Sequence, residues 1–302
     1  MRTPWGEIPI EDSHVHFFSH KFFSMLAAQR NSTAGQILAE LEWEAPAPEP
    51  EALADRWVAE LDRHGVQRAA VIGSLPGEED SVAAAVGRHP DRFYGLFMVN
   101  PLTPGAAAAV SHALDGGLRC PCLFPAMHRY STTDDRLVAI AEAVAARPGK
   151  AIFVHCGILT VGIRKKLGLP SPFDMRFSNP IDLHGLALRF PNVPFIVPHF
   201  GAGFFREALM LCDLCPNVYL DTSSSNSWMR YLEPDCGLAR IFRQALEVAG
   251  PNRLLFGTDS SFFPRGWQAR VFDAQVHALK DAGVTEADAR GVLGANLRRL
   301  FS

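Results

Sequence analysis

Eight short apolar runs alternate along this chain with longer amphipathic stretches, and that alternation restricts the fold more than any other feature. The runs IPIEDSHVHF, RAAVIGS, YGLFMVN, LRCPCLF, AIFVHC, PFIVPHF, NVYLDTS and RLLFGTD have the length and the β-branched and aromatic content of strands. Segments such as EALADRWVAELDRHG and DDRLVAIAEAVAARPG lie between them, with apolar residues at helical spacing. Strand and helix in regular alternation predict a parallel sheet closed into a (β/α)8 barrel. With 302 residues, 48% of them hydrophobic, the chain can bury this barrel as a single domain spanning 1–302, because α/β barrels reach this size undivided. Two connections are unusually long. Residues 17–50 carry aromatic side chains, a short helix and the Pro-rich EAPAPEP, and residues 158–180 are rich in Gly, Pro and basic side chains. They follow the first and fifth strands at the face where barrel enzymes keep their chemistry, so both are expected to contact substrate.

Histidines and an aspartate mark the ends of four of the runs: His14 and His16 in the first, His155 and His199 in the fifth and sixth, and Asp259 after the last. Side chains two apart on a strand point the same way, so His14 and His16 can grip one ion while distant strands supply the rest. Imidazoles plus one carboxylate, with a position left open for water, is the usual donor set of hydrolytic zinc. A lone strand-end histidine is more often packed or hydrogen-bonded than metal-bound. The joint order along the chain, HxH, then VHCG, PHFG and FGTD, carries the reading that no single histidine does.

Composition narrows the partners. A net charge of -3 and a pI near 6.4 leave no electrostatic footprint for nucleic acid, and Arg164, Lys165 and Lys166 form the only short basic run. No apolar stretch reaches membrane-spanning length, and the start MRTPWGEIPIEDSHVH lacks the pattern of a signal peptide, so a cytoplasmic location is expected. Cys212 and Cys215 form a CxxC without a second pair at zinc-finger spacing, which reads as two reduced core thiols. Cys120 and Cys122 alternate on a strand and are expected to face the barrel interior.

The DSHVH start, the HCG and PHFG strand ends, FSNP before a helix, PNVYLDTS and the terminal FGTDSSF together resemble the amidohydrolase superfamily, in its amidohydrolase-related branch. That branch includes aminocarboxymuconate-semialdehyde decarboxylase, related aromatic acid decarboxylases, and lactone and other hydrolases. The resemblance covers nearly the whole chain. It implies a distorted (β/α)8 barrel, one divalent metal ion (zinc, with manganese as the alternative) on His14, His16, His155 and Asp259, and His199 as the histidine that contacts metal-bound water. Two-metal members commonly place a carboxylated lysine on the fourth strand, but no lysine occurs between Lys21 and Lys150. Cys122 falls near that place, so a single metal is favoured over a site bridged by its thiolate.

Wall residues are harder to read. Arg176 and Arg265 follow candidate strands and have the geometry to hold a carboxylate, Trp267, Phe17, Phe262 and Tyr130 can stack on a flat ring, and His128 offers a polar contact. Two chemistries share this donor set. One is hydrolysis of a small cyclic ester or amide-like carbonyl compound by metal-bound hydroxide, with Asp259 relaying the proton; the other is non-oxidative decarboxylation of an aromatic or enol carboxylic acid. Hydrolysis is preferred because it asks less of the walls. A non-catalytic metal-binding scaffold is the third reading, and assembly into a homo-oligomer is compatible with all three.

Overall fold

A computed structural model describes residues 1–234 and 236–302. All eight expected strands form. They are β1 (Ile10–Phe17), β2 (Val66–Gly73), β3 (Phe93–Val99), β4 (Cys120–Leu123), β5 (Ile152–Val154), β6 (Phe195–Val197), β7 (Val218–Asp221) and β8 (Leu254–Leu255). Each pairs in parallel with the next, from β1 to β8. The circle closes just beyond β8, where Ser13 N–H donates to Phe256 O at 2.8 Å, Asp259 N–H to His14 O at 3.0 Å and His16 N–H to Ser260 O at 2.7 Å. An antiparallel hairpin of Arg2–Thr3 and Gly6–Glu7 precedes the barrel.

Period-two alternation sorts the strand residues into two cores. Ala70, Ile72, Tyr94, Leu96, Met98, Cys120, Cys122, Phe153 and Leu255 pack with one another inside the barrel, together with Leu297, Leu300 and Phe301 near the C-terminus. The alternate residues, among them Val71, Phe93, Phe97, Val154, Phe195 and Leu220, face the helices and meet Trp57, Leu137, Ile140, Leu211 and Phe242. Cys120 and Cys122 thus occupy the inward positions expected of them. Cys122 Sγ lies 3.8 Å from the Cys120 carbonyl, and burial pushes its thiol well above the ordinary value, so it packs as a small apolar side chain. Cys212 and Cys215 are likewise buried thiols, at the end of a helix over Phe205–Leu214.

Both long connections carry helices. The first holds α1 (His20–Ala28), capped by Ser19, and α2 (Ala34–Leu41), opened by a Thr33/Gln36 capping box, before α3 (Pro50–His64) returns to the barrel wall. The second contains a short helix over Gly162–Lys166 and 3-10 turns over Met175–Phe177 and Pro180–Leu183. Phe22, Phe23, Leu26, Ile37 and Leu38 of the first pack against Ile163 and Leu167 of the second in a core of their own. Two separate insertions therefore become one apolar superstructure beside the barrel mouth.

Asp12 reinforces the closure. Its buried carboxylate accepts from the Thr258 amide at 3.1 Å, the Thr258 hydroxyl at 2.5 Å, the Trp267 indole at 2.7 Å and the His14 amide at 2.9 Å. Burial pushes this carboxyl up to about 6 against the pull of those donors. Removing it leaves buried donors without an acceptor. Asp12→Ala should lower stability by about 3 kcal/mol, read as a shift of the urea midpoint, whereas an exposed change such as Arg176→Ala should stay within about 0.5 kcal/mol.

Candidate metal centre and cavity

His14 and His16 share one face of β1 and point into the barrel mouth, and the left-handed backbone of Asp259 (φ 58°) turns its carboxylate toward them. His16 Nε2 lies 3.3 Å and His14 Nε2 3.8 Å from Asp259 Oδ1, and the three donor atoms are all within 4.8 Å of one another. Donors 2.0–2.1 Å from a shared tetrahedral ion are roughly 3.3–3.4 Å apart, so this group fits one divalent cation with little adjustment.

The outward nitrogens are held as a metal site requires. His14 Nδ1–H donates to the fully buried Asp221 carboxylate at 2.6 Å, and His16 Nδ1–H donates to Ser74 Oγ at 2.9 Å. Both contacts fix the tautomer whose Nε2 lone pair faces Asp259. Ser223 Oγ sits 3.0 Å from His14 Nδ1 and 2.9 Å from His199 Nδ1, tying the two rings together. The space is tight: a Cβ at Gly257 would lie 2.9 Å from Ser13 Oγ and 3.0 Å from Asp221 Oδ1.

His155 and His199 complete the ring of imidazoles. His199 stands 4.9 Å from His14 and 5.3 Å from His155 between ring centroids, in a turn where His199, Phe200 and Ala202 all take positive φ. His155 stacks on Phe124 at 5.4 Å, and its Nδ1 is buried without a partner among the described residues. It lies beside the three-donor group rather than within it. The glycine of the HCG motif has a steric reason: Gly157 has φ +82°, and a Cβ there would fall 2.1 Å from the Gly201 carbonyl.

Electrostatics separate the charged groups. Burial opposes a charge on His14, but the Asp221 carboxylate outweighs it and raises the imidazole above its ordinary value. Burial lowers His16, His155 and His199, and repulsion from His14 adds to this. Asp259 is held well below the carboxylate range; burial alone would raise it, and the combined pull of His16, His14 and His199 prevails. An ionised carboxylate facing mostly neutral imidazoles is the protonation state that binds a cation.

These residues line a cavity of about 710 Å³, within the range of small-molecule sites. Phe18, Phe22, Trp43, Phe124, Phe173 and Phe262 give it aromatic walls, and Arg164, Lys166 and Arg265 give it cations. Arg265 is the expected wall arginine that borders it, with its guanidinium 4.3 Å from the Phe262 ring centroid and donating to Ser261 Oγ at 2.7 Å. Phe262 is the expected wall aromatic that lines it, and the remaining expected wall residues lie elsewhere. Arg176 is captured by Asp174, two residues away, and its side chain is 84% exposed. Trp267 is buried with its indole committed to Asp12. Phe17 has the parity of Val15 and enters the outer core, leaving Phe18 to face the cavity. His128 and Tyr130 stack on each other at 6.5 Å behind Met127, which takes the lining position.

Asp221, Ser74, Ser223 and Asp12 are absent from the sequence reading of the site. A signal for Asp221 exists in PNVYLDTS, a carboxylate at the end of an apolar strand like Asp259; the serines carry no comparable mark.

A family model described as amidohydrolase matches residues 12–302. The chain belongs to the amidohydrolase family. Protein FluG of Emericella nidulans is 31% identical over 125 residues, covering 41% of this chain; the match spans 13% of FluG's own length. In structure, a protein described as a probable 2-pyrone-4,6-dicarboxylic acid hydrolase from Acinetobacter baumannii superposes with TM-score 0.62 at 15% identity, over 97% of this chain and 99% of that one. A 5-carboxyvanillate decarboxylase from Novosphingobium aromaticivorans, with bound manganese, superposes with TM-score 0.61 at 14% identity, over 99% and 98%. This amidohydrolase thus shares its barrel with proteins named for hydrolysis and for decarboxylation.

Because Asp221 fixes the orientation of His14, Asp221→Asn should weaken zinc binding about 10- to 100-fold in a competition titration with a chromophoric chelator. His14→Ala and Asp259→Ala should abolish stoichiometric binding while the circular dichroism spectrum keeps its native shape.

Proposed function

We propose that this amidohydrolase is a metal-dependent hydrolase of a small, flat, cyclic ester or amide-like compound, with one divalent ion, zinc by preference and manganese as the alternative, held by His14, His16 and Asp259 and joined by His155. The observation that carries the reading is the convergence of these donors at the base of an aromatic cavity. When bound, such an ion supplies a nucleophile at neutral pH by lowering the pKa of water to about 7 and polarises a carbonyl oxygen. The remaining work belongs to the protein. Asp259, whose side chain is 35% exposed toward the cavity, can accept a proton from water and return it to the leaving group. His199, steadied by Ser223, is placed to hydrogen-bond the water or the carbonyl oxygen as charge develops. Phe18, Phe124 and Phe262 exclude solvent and hold a planar substrate face-on.

Decarboxylation of an aromatic acid is the second reading, and Arg265 favours it: its guanidinium borders the cavity beside Asp259, where it can hold a carboxylate against an aromatic wall. Hydrolysis remains the first because Arg176 and Trp267, the other groups such chemistry was expected to use, lie outside the cavity. Incubation with lactones, cyclic amides and hydroxylated benzoates, following ring opening and carbon dioxide release together, tests the choice. Ring opening without carbon dioxide is expected. Metal-dependent carbon dioxide release alone, lost in Arg265→Ala, would replace hydrolysis with decarboxylation, and inertness throughout would support a scaffold.

His199→Asn should keep the metal and lose activity about a hundredfold or more. Loss of the metal in this variant would place His199 among the ligands.

A further inference from the structure

Beyond the aromatic cavity, on the other side of His155, His199 and Asp259, lies a second compartment of about 110 Å³. Its remaining polar lining comes from Thr160, Ser224, Ser227, Trp228, Arg230 and Tyr231, most of them in the segment after β7. The two compartments share the three central residues and Thr160 but differ in character: one is broad and aromatic, the other small and rich in hydrogen-bond donors.

The donors are what identify its occupant. Arg230 can only donate, and among the described residues its guanidinium makes one side-chain bond, to the Tyr231 hydroxyl at 2.5 Å, stacking 4.8 Å from that ring. The indole N–H of Trp228 is buried and has no acceptor among the described residues. An indole donates and never accepts, so its missing partner is an acceptor. Among the described residues, Asp259 at the shared centre is the one carboxylate that lines the compartment. Liquid water occupies about 30 Å³ per molecule, so the space suits one small oxyanion with a few waters.

We propose that this compartment is an oxyanion-binding subsite, in which Arg230, Ser227 and Trp228 hold a carboxylate substituent of the substrate while its planar body lies in the aromatic cavity. This assignment rests on the reading of His155, His199 and Asp259 as the reacting centre, and it narrows the substrate to one with a carboxylate next to the reacting carbon. Arg265, on the opposite wall, is the competing cation.

Calorimetric titration with benzoate and its neutral isostere benzamide tests the subsite without turnover. Both are titrated into zinc-loaded and metal-free protein, for the wild type, Arg230→Gln and Arg265→Gln, after circular dichroism verifies native folding. Wild-type protein should bind benzoate at least tenfold more tightly than benzamide in both metal states, and Arg230→Gln should erase that preference by weakening benzoate alone. An unchanged preference in Arg230→Gln, or its loss only in Arg265→Gln, would overturn the assignment. A wild-type protein that takes up no zinc would defeat the metal-dependent reading, and the metal-free titrations would still decide the subsite.

Discussion

The seam between β1 and the segment after β8 is the constraint on which the site depends. His14 and His16 belong to one side of that seam and Asp259 to the other, and the backbone bonds that close the barrel run through these same residues. The His14 carbonyl accepts from the Asp259 amide while the His14 imidazole faces the Asp259 carboxylate. Donor spacing is therefore set by sheet geometry and needs no separate ordering of side chains, which is how rigid elements hold a site more tightly than loops can.

Such a seam buries charge. Asp12, Asp221 and Glu11 are nearly inaccessible, and each is compensated in its own way: Asp12 by donors from the last barrel turn, Asp221 by His14 and the Ser223 amide, Glu11 by Arg298 and the Tyr94 hydroxyl. Buried carboxylates left unpaired would cost several kcal/mol each. Asp12 and Asp221 spend that cost on alignment, one joining the seam from outside the ligand group and the other fixing the ring from behind. Removing the acid end of either network would leave the opposite donors buried and unsatisfied.

Substrate access is governed by different physics. The walls derive from two connections remote in sequence, joined by apolar packing of α1 and α2 against the 162–166 helix. Cations concentrate at this mouth, with Arg164, Lys166 and Arg265 on one side and Arg230 on the other, although the chain as a whole carries a net charge of -3. Asp259 is the carboxylate both compartments share. A local positive field on a net-negative protein raises the local concentration of anions at the opening.

Periodicity and position in the sequence determined the barrel, its strand order and the inward set His14, His16, His155, His199 and Asp259, because strand direction fixes which side chains reach the mouth and active groups of this fold sit at strand ends. The same parity separates Phe17 from Phe18 once the strand face is known, and only the folded barrel fixes that face. Arg176 and Arg265 look alike in sequence; one was taken by a neighbouring aspartate and the other was carried to the cavity by the turn after β8. Asp221, Ser74 and Ser223 became legible only when the closed barrel brought β7, β2 and β1 to the same imidazoles, since hydrogen bonds between residues 58 to 209 positions apart leave no local pattern. Local spacing records what the backbone repeats, whereas partners chosen across the barrel are decided by tertiary packing.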